Sequence, residues 1–186
     1  MLQELRNALP DYAKDIRTNL DAVLSEAGAP GLSGKQILAI ALASAIASRE
    51  TRLIAALGSE AVRVLSAEEL RGTRAAATIM AMNNIYYRYT HLVSDPAYQQ
   101  MPARLRMTVI ANPGLDKTSF ELCSIAVSAI NGCGMCMDSH EKVLRQHGVT
   151  PEAIHSAVRI AAVIHAAAVS LVAASAGSEE TLAQAA

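Results

Sequence analysis

Apolar residues recur along nearly the whole chain at the three- and four-residue spacing of a helix, and the strict alternation of a half-buried strand is absent. Glycine and proline fall at intervals that punctuate helices. The pattern predicts a first helix from Leu2 to Leu24, bent at Pro10, and then a loop over "EAGAPGLSGK". Ser33 with Gln36 has the spacing of a capping box and opens a helix through Ala47; Ser66 with Glu69 repeats the device and opens one through Arg88. Residues 94–117 are turn-rich at both ends and leave room for one short helix. Thr118 with Glu121 again has capping-box spacing, Gly132 breaks the helix that follows, and another begins near Cys133 and ends at Gly148. Thr150 caps the last helix, with Pro151 in its first position.

This is an all-α chain, and its length suits a single domain over residues 1–186. A shift of 84 residues lays "LASAIAS" from Leu42 on "AVSAING" from Ala126, and "SAEELRGTRAAATIMA" from Ser66 on "TPEAIHSAVRIAAVIH" from Thr150. Two repeated helical units, 33–90 and 117–174, are therefore expected. On that shift Cys133, Cys136, His140 and Glu121 face Arg49, Arg52, Ala56 and Ile37, so the fold is duplicated while the chemistry is not.

Composition narrows the function. About half of the residues are apolar, with one Phe and no Trp, which favours helices packed closely through small side chains. The net charge of −1, with acids and bases interspersed, offers no footprint for nucleic acid and no polybasic membrane patch. The longest apolar run, from Ile160, contains His165 and much alanine and reads as a buried helix rather than a membrane span. The N-terminus reads as neither a signal nor a transit peptide, and the cytosol is the expected compartment.

The chemistry is concentrated in "INGCGMCMDSH", residues 130–140. Cys133 stands at the start of a helix, where free backbone N–H groups and the helix dipole favour a thiolate. Cys136 is three residues on and His140 four more, so all three share one helical face, and the two sulfurs are close enough to join. Dithiol chemistry fits this set. So does a zinc site of Cys133, Cys136 and His140, with His147 or Glu121 as fourth ligand, although the second ligand pair usual in such sites is missing. Glu121 reads either as a helix cap or, where its helix packs back against the cysteines, as the acid that orients His140. Cys123 reads as a small core residue. Asn83 and Asn84, unhelpful inside a helix, either line a cavity or bond across helices. His91, His147, His155 and His165 are scattered, and Tyr86, Tyr87 and Tyr89 read as core or subunit contact.

The motif Glu-x11-Cys-x2-Cys-x3-His in "FELCSIAVSAINGCGMCMDSHE" resembles the active-site segment of the AhpD-like family, within the carboxymuconolactone-decarboxylase-like superfamily. "ALPDYAKDIRTNL", "IMAMNNIYYRY" and "LRMTVIANPG" extend the resemblance over essentially the whole chain. The resemblance implies a homotrimer of duplicated helical units and a thiol peroxidase acting on alkyl hydroperoxides. It implies no bound cofactor: lipoamide, carried on dihydrolipoamide acyltransferases, serves as the reducing co-substrate, and the peroxiredoxin AhpC as a partner. By position, Cys136 matches the cysteine that becomes a sulfenic acid, Cys133 its resolving and proton-donating partner, and His140 and Glu121 a proton relay. An adaptor that only passes electrons to the peroxiredoxin is the alternative reading. Family members can carry His immediately before the second cysteine, where this chain has Met135. The decarboxylation of a lactone, which the superfamily name suggests, finds nothing in the Cys-Cys-His set that calls for it.

Overall fold

The computed structural model describes residues 1–176; the last ten positions of the domain expected over 1–186 lie outside the described residues. The described residues form nine α-helices and no strand: α1 (Leu2–Asn7), α2 (Lys14–Val23), α3 (Gly34–Ser48), α4 (Thr51–Ala61), α5 (Ala67–Leu92), α6 (Ala97–Gln100), α7 (Lys117–Ile130), α8 (Gly134–Gln146) and α9 (Pro151–Ser175). The expected all-helical class is what the chain adopts.

Three local expectations need correction. Pro10 separates two helices instead of bending one. It has no N–H to donate and disfavours helical backbone in the residue before it, so α1 stops at Asn7 and the chain passes Pro10 extended, at φ −67° and ψ 166°. The helix begun at Ser66 runs on to Leu92, past Arg88. At α7 the cap is Asp116, whose Oδ1 accepts the Ser119 N–H at 2.9 Å, so Thr118 and Glu121 form no capping box.

Helices α3 and α7 are the core. Residues 39–45 of α3 and 119–128 of α7 are buried on every side; alanine and serine dominate the first run and recur through the second, which lets neighbouring helices approach closely. Burial all round is what makes a carboxylate on α7, Glu121, exceptional. Gly72 brings the loop before α7 onto α5: a Cβ there would stand 2.6 Å from the Pro113 carbonyl oxygen. Helix α9 alone among the described residues is long and apolar enough by composition to cross a membrane. It packs against α2, α3 and α7, and Ile160, Ala161, Ile164 and Ala167 are buried there.

The helix caps recur. Ser33 and Asp116 open α3 and α7, Glu50 and Cys133 open α4 and α8, and Ser66 and Thr150 open α5 and α9. In all six the side chain accepts the N–H three residues on. Helix α3 packs on α4 and α5 as α7 packs on α8 and α9, and each of α3 and α7 also packs on the long helix of the other run. The first two caps are 83 residues apart and the third 84, which corrects the uniform shift of 84. In the corrected register Cys133 stands where Glu50 stands, while Cys136, His140 and Glu121 replace Leu53, Leu57 and Leu38. Leu53 and Leu57 are fully buried. One run fills these positions with leucine packing, and the other exchanges them for a thiol, an imidazole and a carboxylate.

Candidate active site

A turn between α7 and α8 builds the site. Gly132 adopts φ +67°, the left-handed region where a Cβ is costly. The Gly132 N–H bonds the Ala129 carbonyl at 3.2 Å and the Cys133 N–H bonds the Ser128 carbonyl at 3.1 Å, a Schellman ending for α7. The same reversal makes Cys133 the N-cap of α8, with its sulfur accepting the Cys136 N–H at 3.3 Å. A Cβ on Gly132 would meet nothing within 4 Å, so Gly132→Ala is penalised by backbone conformation alone. Urea denaturation of Gly132→Ala is expected to show a loss of about 1–2 kcal/mol, and Gly132→Asn a smaller loss.

Helix α5 fastens this turn from the side. Asn84 Nδ2 donates to Ser128 Oγ at 2.8 Å, Asn131 Nδ2 donates to Asn84 Oδ1 at 3.0 Å, and Arg88 donates to the Asn131 carbonyl. Asn84 is fully buried, so its amide is spent on holding the residues just ahead of Cys133. Of the two readings of the asparagine pair, Asn84 takes the bond across helices and Asn83 the cavity.

The two cysteines are joined as a disulfide, with Cα atoms 5.3 Å apart. Their surroundings differ. Cys133 is fully buried, whereas Cys136 lines a cavity of about 330 Å³ between α5, α7, α8 and the segment around residues 107–110. His140 and Glu121 line the same cavity, and so does Met135 beside Cys136. Met80, Met107, Ile110 and Val143 make most of the remaining wall apolar.

Glu121 and His140, nineteen residues apart in sequence, meet here. Glu121 Oε2 lies 2.6 Å from His140 Nδ1, and Oε1 lies 2.8 Å from Lys117 Nζ, one turn back on α7. Burial pushes the Glu121 carboxyl upward, and the bonds to His140 and Lys117 outweigh it, holding the group below the ordinary carboxylate value. Glu121 is therefore a carboxylate at neutral pH, and Nδ1 of His140 carries the hydrogen it donates. That fixes the tautomer: in the neutral ring Nε2 is the free base. Nε2 stands 3.2 Å from the sulfur of Met80.

Sequence reasoning brought together Cys133, Cys136, His140 and Glu121, and the fold places all four in one neighbourhood. It missed Lys117, although the i,i+4 spacing to Glu121 was visible, and Met80, which looked like any core methionine. The zinc set is not arranged as metal ligands. The cysteines are joined to each other, His147 Nδ1 donates to the Val143 carbonyl at 2.9 Å, and among the described residues no three His, Cys, Asp or Glu side chains are placed to hold a metal ion. His165 bonds Ser48 instead, at 3.2 Å. Cys123 is fully buried on α7, and burial drives its thiol far above the ordinary range, as expected of a core residue.

Comparison with known proteins agrees with this architecture. Residues 96–179 match the carboxymuconolactone decarboxylase family. The chain is 52% identical to the alkyl hydroperoxide reductase AhpD of Coxiella burnetii (strain Dugway 5J108-111) over 165 residues, covering 89% of this chain and 93% of that one. It is 54% identical to the AhpD of Hyphomonas neptunium over 167 residues (90% and 91% of the two chains) and 51% identical to that of Methylocella silvestris over 173 residues (93% and 96%). Identity at that level over nine-tenths of both partners, together with an all-helical fold that carries the Cys-x2-Cys pair at a helix start, places the chain in the AhpD family.

Proposed function

We propose that this protein is a thiol peroxidase that reduces alkyl hydroperoxides through a Cys133–Cys136 dithiol–disulfide cycle. The observation that carries the reading is the asymmetry of the pair: one sulfur faces an apolar cavity that also holds a hydrogen-bonded Glu121–His140 couple, and the other is sealed behind it. Relatives that share half of its residues are named alkyl hydroperoxide reductases.

In the reduced protein, Nε2 of His140 takes the proton of the Cys136 thiol, and Glu121 stabilises the resulting imidazolium through Nδ1–H. The thiolate attacks the terminal oxygen of R–O–O–H. The S–O bond forms, the O–O bond breaks, and the alkoxide leaves as ROH with the proton from Nε2. Cys136 is then a sulfenic acid. The Cys133 sulfur attacks it, the S–S bond forms, and the hydroxide leaves as water with the Cys133 proton. A dihydrolipoamide-type dithiol reopens the bond by exchange through a mixed disulfide, returning two thiols and releasing the oxidised dithiol. Each turnover converts one hydroperoxide and one dithiol to one alcohol, one water and one disulfide.

The fully buried Cys133 sulfur becomes accessible to a dithiol only through Cys136, so the mixed disulfide forms on Cys136, with Cys133 as the leaving thiolate. This order suits a slender reductant such as a lipoyl arm. Exposed apolar side chains at Ile85, Tyr89 and Leu92 form a stripe along the outer face of α5, which supports the homotrimer that the family resemblance implies. The neutral Met135 beside Cys136 leaves His140 as the cavity's own imidazole.

Stopped-flow oxidation of the reduced protein by tert-butyl hydroperoxide, with no partner present, tests the reading. Oxidation in the first turnover, with a rate first order in hydroperoxide, is expected. A protein that stays reduced with peroxide alone, yet is oxidised on adding AhpC disulfide, is an adaptor and not a peroxidase.

A further inference from the structure

The two helical runs make the same reversal but fasten it differently. At the end of α3, Arg49 adopts φ +60°, as Gly132 adopts φ +67° at the end of α7. In the register set by the caps, Ser128 and Asn131 match Ala45 and Ser48; on the long helix packed against each, Asn84 and Arg88 match Ala168 and Val172. Ala45 and Ala168 are buried, so the reversal in the first run forms on alanine packing, with Ser48 bonded to His165 beside it. Ahead of the cysteines the same positions carry a chain of hydrogen bonds. Arg88 donates to the Asn131 carbonyl, Asn131 Nδ2 to Asn84 Oδ1, and Asn84 Nδ2 to Ser128 Oγ. Asn84 and Ser128 are fully buried. An asparagine inside a helix is less favourable than an alanine, and a buried amide must keep its bonds or destabilise the fold. The run that holds the cysteines therefore carries a polar fastening that the reversal itself does not require.

From this we infer that Asn84 is a positioning residue for the closing step of the cycle: it keeps Cys133 within bonding reach of Cys136 while the sulfurs are apart, so that the sulfenic acid is captured before a second hydroperoxide meets it. Asn84 grips Ser128 and Asn131, which bracket the end of α7, and the Cys133 N–H is itself bonded to the Ser128 carbonyl at 3.1 Å. The disulfide sets the two Cα atoms 5.3 Å apart. In the reduced protein no S–S bond holds that separation, and the fastened turn does. Two fates compete at the Cys136 sulfenic acid. Attack by the Cys133 sulfur forms the S–S bond and releases water. Alternatively, the sulfenic sulfur attacks a second hydroperoxide: a further S–O bond forms, the O–O bond breaks, ROH leaves, and Cys136 becomes a sulfinic acid that the dithiol does not reduce. Closure is intramolecular, so its rate depends on how well the second sulfur is placed, whereas over-oxidation depends on the supply of hydroperoxide. The same placement favours the disulfide over the dithiol at equilibrium.

The inference rests on the dithiol–disulfide cycle proposed above. Wild-type oxidation by hydroperoxide tests that cycle by itself; the Asn84 variants test only the fastening. Two are compared with wild type: Asn84→Ala, and Asn84→Ala with Ser128→Ala, which leaves no buried hydroxyl behind and reproduces the Ala45–Ala168 pairing of the first run. The reduced proteins are mixed with an excess of tert-butyl hydroperoxide and quenched at successive times, and Cys136 is read by mass as thiol, disulfide or sulfinic acid. Reduction potentials are measured in dithiothreitol redox buffers. Loss of the Cys136 thiol should stay within about threefold of wild type. The ratio of sulfinic acid to disulfide should rise about 10-fold, the rate equivalent of one net hydrogen bond. The equilibrium constant for closure should fall by a similar factor, which raises the reduction potential by about 30 mV. A wild-type product ratio and potential in both variants overturn the proposal, and so does an equal slowing of thiol loss and closure. Failure of both variants to fold also overturns it, since that makes Asn84 a residue of the scaffold.

Discussion

Cys136→Ser is expected to abolish hydroperoxide consumption by the isolated protein, with a loss of about 10³-fold or more. The reason is nucleophilicity. A thiol gives up its proton to a base far more readily than a serine hydroxyl, and the sulfur is the stronger nucleophile, so a serine in the same place cannot break the O–O bond at a useful rate. The substitution replaces one atom of a side chain that is 6% exposed, so the variant should fold like the reduced wild type, which is the proper reference because neither holds the disulfide. Cys133→Ser should behave differently. Its Cys136 still faces the cavity, so one equivalent of hydroperoxide is consumed, but the sulfenic acid then has no partner and turnover stops after the first event. Hydroperoxide consumption measured without added dithiol, which could itself reduce a sulfenic acid, separates the variants: no burst for Cys136→Ser, and a single-turnover burst for Cys133→Ser.

The second large effect belongs to the Glu121–His140 couple. Removing a positioned proton donor and acceptor costs about 10²- to 10⁴-fold in the step it serves, so His140→Ala should fall in that range. Glu121→Gln keeps a neutral acceptor for Nδ1–H but withdraws the charge that stabilises the imidazolium. It should lower the hydroperoxide rate by about 10²-fold, toward the small end of that range. Lys117→Ala should change the rate little, because the lysine is half exposed and its charge is screened by water. Stability carries an independent sign of the same couple. The Glu121 carboxyl is held below its ordinary value of 4.5 in the fold, so its ion pairing stabilises the protein at pH values above that range. The contribution fades as pH falls through the lower folded value, where the native carboxylate is protonated as well. The stability gap between wild type and Glu121→Gln, followed by thermal unfolding, should therefore be widest near neutral pH and narrow in acid.

Much of this was legible in the chain. Ser33, Ser66 and Thr150 announced three helices through local capping chemistry, which depends on residues three apart and survives whatever the tertiary structure does. Cys133, Cys136 and His140 were readable for the same reason, since all lie within two turns of one helix. Asp116 defeated the local reading at α7. The reading took Thr118 with Glu121 for a capping box, whereas Asp116, two residues earlier, is the residue that caps the helix, by accepting the Ser119 N–H. The outcome matters for chemistry, because a Glu121 free of capping can turn its carboxylate to α8. Contacts made between helices were the hidden part. Nothing in "IMAMNNIYYRY" says that Met80 reaches the His140 ring, that Asn84 fastens the turn before Cys133, or that Asn83 is left without a partner. Those facts depend on how α5 rotates against α7 and α8, which sequence spacing along α5 does not encode. The one-residue change of register between the two helical runs was hidden too. The uniform shift set Cys133 against Arg49, where the caps set it against Glu50.

The account turns on which sulfur meets the peroxide. The direct measurement is to treat the reduced Cys133→Ser and Cys136→Ser variants with one equivalent of tert-butyl hydroperoxide in the presence of dimedone, and to map the adduct by peptide mass spectrometry. A sulfenic acid trapped on Cys136 in the first variant, with Cys133 unmodified in the second, is the predicted result. An adduct on Cys133, or no oxidation of Cys136 when its partner is absent, would contradict the account.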